Sequence, residues 1–160
     1  MTEHAHDDAA VADELRAHHR VMMAELDRLT AELLEVARTG GDVAPAREAL
    51  EHWIAQVLVP HAAEEEASTY LVAGDLSEGR LLIESMLAEH GLIRRTAGHI
   101  TTATDALEAA VYGRLLFDLF ESHQQKENDL ILPLLVDSPN VSLGEVMEEK
   151  VHGHHRGHHH

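Results

Sequence analysis

The chain contains no cysteine among its 160 residues. That absence excludes disulfides, thiolate nucleophiles, iron–sulfur clusters and thiolate zinc sites together. Aromatic residues are nearly missing as well, with one tryptophan, two tyrosines and two phenylalanines. With Ala, Leu and Glu dominant, this favours helix over sheet. Basic residues are scarce: 12 against 29 acidic ones, a formal net charge of −17. Such a field repels phosphate backbones and anionic lipid, so neither nucleic acid nor a membrane surface is an expected partner. No apolar stretch reaches membrane-spanning length, and MTEHAHDDAA lacks the basic region and apolar run of a secretory signal. The expected setting is cytoplasmic.

What the chain has in excess is histidine, 15 in all, and a 44% hydrophobic content sufficient for one compact core. Apolar periodicity divides it into four long helices. Residues 1–6 read as a frayed leader, and Asp7 or Asp8 caps a first helix that ends at Thr39-Gly40-Gly41. Its inward stripe is Leu15, His19, Met22, Leu26, Leu29, Leu33. A second helix opens at Pro45 and runs to Val72 with stripe Ile54, Leu58, His61, Glu65, Ser68, Val72; Pro60 should kink it just before His61. A third, over 76–104, is capped from Asp75-Leu76-Ser77-Glu78 and carries Ile83, Met86, His90, Ile93, Ala97, Ile100. The fourth starts between 106 and 113 and reaches Pro133–Val136, with stripe Leu116, Phe120, His123, Glu127, Leu130, Leu134. Ser142 and Glu145 form a capping-box pattern for a short fifth helix ending near Val151. The expected fold is all-α: an up-down-up-down four-helix bundle over residues 1–151, followed by a disordered His-rich tail at 152–160.

On every one of the four stripes a histidine interrupts the apolar run, and on two of them a glutamate follows four residues later. The i, i+4 spacing puts both side chains on one helical face about 6 Å apart. In a glutamate-rich chain that spacing alone is weak evidence. Its force comes from position. At about 1.5 Å per residue, His19, His61, Glu65, His90, His123 and Glu127 all fall roughly 15–25 Å along the bundle. Four imidazoles and two carboxylates suit a first-row transition metal such as iron or manganese, and exceed what one tetrahedral ion needs; two ions bridged by the carboxylates are the natural reading. A metal-free ion-pair cluster with Arg94 as counterion is the alternative, an expensive one to bury.

These residues, together with the contexts LVPHAAEEE and HQQKENDLILPLL, resemble the hemerythrin-like (HHE cation-binding) domain over about residues 8–136. The resemblance implies a non-heme centre of two iron ions with an oxo or hydroxo bridge, Glu65 and Glu127 spanning the irons, and an open position for dioxygen. In the oxygen carriers of that family a second ligating histidine follows the helix-three histidine by four residues. Here that position is Arg94, which cannot ligate. Glu64 is the nearest candidate substitute, while Arg94 pairs with Glu64 or Glu89, gates the pocket, or is simply a surface arginine. Met22, Leu58, Met86 and Ile93 are expected to wall the pocket. The functional expectation is binding of dioxygen, nitric oxide or peroxide for storage, sensing or delivery. The alternatives are a di-iron enzyme that scavenges peroxide or nitric oxide, and an iron donor in iron-centre repair. No oligomeric state follows from the sequence.

Overall fold

The computed structural model describes residues 3–148, and every regular element among them is helical. Helix α1 spans Glu3–Thr39 and stops where Gly40 takes φ 77°, a left-handed conformation that a side chain would disfavour. Its start lies upstream of Asp7 and Asp8, so neither caps it. Asp8 is instead buried and accepts a hydrogen bond from the Gly144 backbone at 3.2 Å, tying the short helix at 143–148 to α1. That helix begins as expected, with Ser142 Oγ accepting from the Glu145 N–H at 3.3 Å.

The second segment is α2 (Ala44–Trp53), a π-helical turn over Ile54–Leu58, and α3 (Val59–Glu66). Pro60 supplies no N–H, so the helix widens one turn earlier and the Val59 N–H bonds back to Ile54, five residues away. The expected continuous helix to Val72 is interrupted at Ala67-Ser68. Ser68 leaves helical geometry (φ −132°, ψ −94°) while its hydroxyl bonds back to the Glu64 carbonyl at 2.6 Å, a local bond that competes with the helical ladder. The chain restarts as α4 (Thr69–Asp75). It turns at Gly79, where a Cβ would stand 2.0 Å from the Ala73 carbonyl oxygen. Helix α5 (Arg80–Thr102) follows without a side-chain cap. Helix α6 (Ala106–Lys126) is capped by Asp105, which accepts from the Leu107 N–H at 2.7 Å. A second π turn (Glu127–Ile131) and α7 (Leu132–Asp137) extend it, again just ahead of a proline, Pro133.

That second π turn has a consequence for the core. One extra residue in the turn advances the buried face by one position. Leu130, expected on the inward stripe, is 50% exposed, while Ile131 and Leu135 are buried in its place.

Helix α1 packs along α6, and α6 along α5. Two hydrophobic clusters result. One gathers Met22, Leu26, Leu33, Leu50, Leu58, Ile93, Ile100 and Phe120; the other gathers Ala12, Tyr70, Ala73, Met86, Ile131, Leu135 and Leu143. Each fully buried Leu or Ile contributes roughly 1.5–3 kcal/mol. Along α1 and α5 the chain passes from the second cluster to the first. Along α2–α4 and α6–α7 it passes from the first to the second. In all four segments the histidines and glutamates singled out above lie between the two clusters.

Candidate metal centre

The polar layer between the clusters is built from i, i+4 pairs whose helices were aimed by the apolar residues on either side. His61 Nε2 stands 3.3 Å from Glu65 Oε2, and His123 Nε2 stands 2.9 Å from Glu127 Oε1. His19 Nε2 from α1 comes within 3.4 Å of Glu127 Oε2, and His90 Nε2 from α5 within 3.5 Å of Glu65 Oε1. The six form two groups whose ligand atoms lie within 4.8 Å of one another. His19, His61, Glu65 and Glu127 make the first; Glu65, His90, His123 and Glu127 make the second. Both carboxylates belong to both groups.

Second nitrogens settle how the rings are presented. His90 Nδ1 lies 2.9 Å from Glu66 Oε1, His123 Nδ1 lies 3.1 Å from Glu89 Oε1, and His19 Nδ1 lies 2.7 Å from Asn128 Oδ1. Carboxylate and amide oxygens only accept, so each Nδ1 carries a proton, and Nε2 is the nitrogen each ring presents inward, able to face a cation once it carries no proton. Arg94 and Lys126 neutralise the outer carboxylates, at 3.0 Å from Glu66 and 2.5 Å from Glu89. Burial alone would raise the pKa of both glutamates. Hydrogen bonds from His90 and Arg94 hold Glu66 below the ordinary carboxylate range, and those from Lys126 and His123 do the same for Glu89.

The inner carboxylates are pushed apart. Burial, then the charge of Glu127, drives Glu65 well above its ordinary value, so it holds a proton. Burial presses on Glu127 in the same direction, but its contacts with the Glu65 carboxyl and His123 outweigh it and keep Glu127 ionised. Burial likewise lowers His19, partly offset by Glu127 and Asn128. Glu127 Oε2 is buried with no hydrogen-bond partner among the described residues. Inward-facing Nε2 atoms, two buried carboxyls crowded against each other and a carboxylate oxygen without a donor are what a pair of bound cations would satisfy. The residues present fit a two-ion centre.

The family description "Hemerythrin HHE cation binding domain" matches residues 10–135. The chain belongs to the hemerythrin HHE cation-binding domain family. Comparison with curated proteins returned no match, and comparison with solved structures returned none either.

Several residues of this hemerythrin-like domain sit elsewhere than expected. Glu64 belongs to neither ligand group. Arg94 is 41% exposed and pairs with Glu66, rather than with Glu64 or Glu89. Met22, Leu58, Met86 and Ile93 are buried in the two apolar clusters, but none of them lines the small cavity beside the site. That cavity measures about 30 Å³ and borders His19, His61, Glu65, Tyr70 and Glu127, with Leu15, Ile131, Leu132 and Met147 on its apolar side. It has room for a molecule the size of water or dioxygen. His52 and His99 are exposed. The His-rich tail lies outside the described residues.

Sequence periodicity missed Tyr70. In an unbroken helix it would stand about 140° around from Glu65. The break at Ser68 swings it inward, where it is 2% exposed. Its hydroxyl donates to Glu127 Oε1 at 2.6 Å and lies 3.0 Å from His123 Nε2 and 3.3 Å from His90 Nε2. Burial and the neighbouring carboxylates hold its proton far more firmly than in a free phenol. The one available signal was the Ser-Thr pair at 68–69, a sequence prone to interrupt helices.

Proposed function

We propose that this hemerythrin-like domain is a non-heme di-iron protein that binds dioxygen or a related small ligand, nitric oxide or peroxide, for storage, sensing or delivery. The observation that carries the reading is a pair of ligand groups sharing Glu65 and Glu127, beside a cavity of diatomic size. We read the four segments, which pass alternately between the same two clusters, as an up-down-up-down four-helix bundle. His19 and His61 would hold one ion, His90 and His123 the other, with Glu65 and Glu127 across both. Iron bound there supplies redox-active Lewis-acid centres, and imidazole and carboxylate donors suit them. The chain's own part is to fix His19, His90 and His123 through Asn128, Glu66 and Glu89, to line the cavity with Leu15, Ile131, Leu132 and Met147, and to hold the Tyr70 proton against Glu127.

No helix among the described residues is long and apolar enough to cross a membrane, and a cytoplasmic setting free of nucleic-acid and membrane partners fits the acidic, cysteine-free chain. Iron reconstitution followed by metal analysis and visible absorption tests the reading. Two irons per chain with bands perturbed by dioxygen or nitric oxide support it, and a chain that retains no metal refutes it.

A second reading, a di-iron enzyme consuming peroxide or nitric oxide, is favoured by one observation. Arg94 stands where the oxygen carriers have a histidine, and it turns outward to Glu66. Repeated turnover of peroxide by the iron-loaded protein, as opposed to one stoichiometric reaction, separates the two.

A further inference from the structure

Each half of the site offers two imidazoles and the two shared carboxylates, four ligand residues, which leaves room for a further donor. On α5 the next helical position after His90 is Arg94, which turns outward to Glu66. We propose that Tyr70 supplies that donor: its phenolic oxygen binds, as phenolate, the metal ion held by His90 and His123. The inference rests on the reading of this layer as a metal centre and goes beyond it in assigning a ligand that the histidine–glutamate pattern does not contain.

The convergence of donor atoms on the phenolic oxygen carries the argument. Tyr70 Oη lies 2.6 Å from Glu127 Oε1, 3.0 Å from His123 Nε2 and 3.3 Å from His90 Nε2. Both rings are held by their other nitrogen, at Glu66 and Glu89, so Nε2 is the atom each offers to this point. In the metal-free fold such a cluster is held together by protons, and a bound cation can take their place. The spacing agrees. Donor atoms at right angles around one ion, each at about 2.1 Å, stand about 3 Å apart. On binding, the phenolic proton leaves to solvent and the oxygen's lone pair takes its place on the ion.

The position also requires an explanation that packing does not provide. A phenol could sit in the apolar cluster with its hydroxyl reaching the surface; this one is driven hydroxyl-first into a layer of imidazoles and carboxylates, stacked on the His90 ring with centroids 5.1 Å apart. The Ser68 break is what turns it there. The chain's other tyrosine, Tyr112, stacks on His99 away from the site, which makes a clean experiment possible.

The test is resonance Raman and visible absorption of the ferric-loaded chain as wild type, Tyr112→Phe and Tyr70→Phe, each with metal content measured. The expected result is a phenolate-to-iron charge-transfer band with tyrosinate ring modes in wild type. Both should persist in Tyr112→Phe, where Tyr70 is the sole tyrosine, and vanish in Tyr70→Phe. Iron bound in wild type and in Tyr112→Phe without tyrosinate modes overturns the ligand assignment while leaving the metal-centre reading intact. No iron in wild type overturns both. Should Tyr70→Phe fail to fold, the Tyr112→Phe spectrum still decides.

Discussion

The two halves of the site share Glu65 and Glu127 and differ in almost everything else. On one side, His19 and His61 border the cavity, and the ring of His19 is steadied by a neutral amide, Asn128. On the other, His90 and His123 are 1% and 0% exposed, and each is backed by a carboxylate that a basic side chain neutralises. Neither His90 nor His123 lines the cavity, whereas Tyr70 lies between them and Glu127. The difference assigns labour within a symmetric-looking set of residues. On the proposed reading, the buttressed half would anchor a cation and the other half would leave space for a small ligand. A carboxylate behind an imidazole strengthens the ring as a donor more than an amide does.

The strongest way to break the comparison is to remove what the halves share. On the proposed two-ion reading, Glu127→Ala should empty both, so that metal analysis finds close to none where two ions per chain are expected for the parent. An ion retained at full occupancy would show that the halves are independent. Removing a buttress separates them instead. Glu66→Gln or Glu89→Gln should weaken metal binding in the second half by about 10–100-fold and leave the first little changed. Asn128→Ala should weaken the first half by less, since a neutral hydrogen bond is about half as strong as a charge-assisted one. Chelator competition, read as two separate affinities, measures both.

A smaller effect concerns pH. Glu65 in the metal-free protein stands well above its ordinary 4.5, so the folded state binds that proton more tightly than the unfolded chain. Its contribution to stability is therefore fully present below 4.5 and is lost as pH rises through the raised value. Bound metal replaces the proton. The gap in thermal stability between loaded and chelated protein should accordingly be small under acid and widen as pH rises. A gap independent of pH would mean that Glu65 holds no proton in the metal-free fold. Least of all, Met147→Ala should open the cavity half and raise the on-rate of nitric oxide a few-fold by stopped-flow, with metal content unchanged. An unchanged rate would place ligand entry elsewhere.

Where periodicity ran unbroken it was a sound guide. The stripes of α1 and α5 are buried apart from half-buried Leu15, and His19 and His90 sit on them where the three-four spacing puts them. It failed at two irregularities, and both adjoin the carboxylates shared by the two ligand groups. The π turn after Glu127 moved the buried face from Leu130 to Ile131, and the Ser68 break carried Val72 off the stripe and Tyr70 onto it. A helical wheel assumes one angle per residue. A proline two residues ahead or a serine bonded back to a carbonyl changes that angle locally, and the error then propagates to every later residue.

The sequence by itself determined which faces turn inward and that two of them carry His-x-x-x-Glu, because i, i+4 geometry is local and survives any arrangement of the helices. It determined equally that no thiolate would share the site. Only the tertiary structure decided that Glu66 meets His90, that Glu89 meets His123, that Asn128 meets His19 and that Tyr70 enters the centre. Each of these contacts joins residues 20 or more positions apart. They are set by how neighbouring segments pack and by where a helix breaks, and no spacing along the chain encodes them.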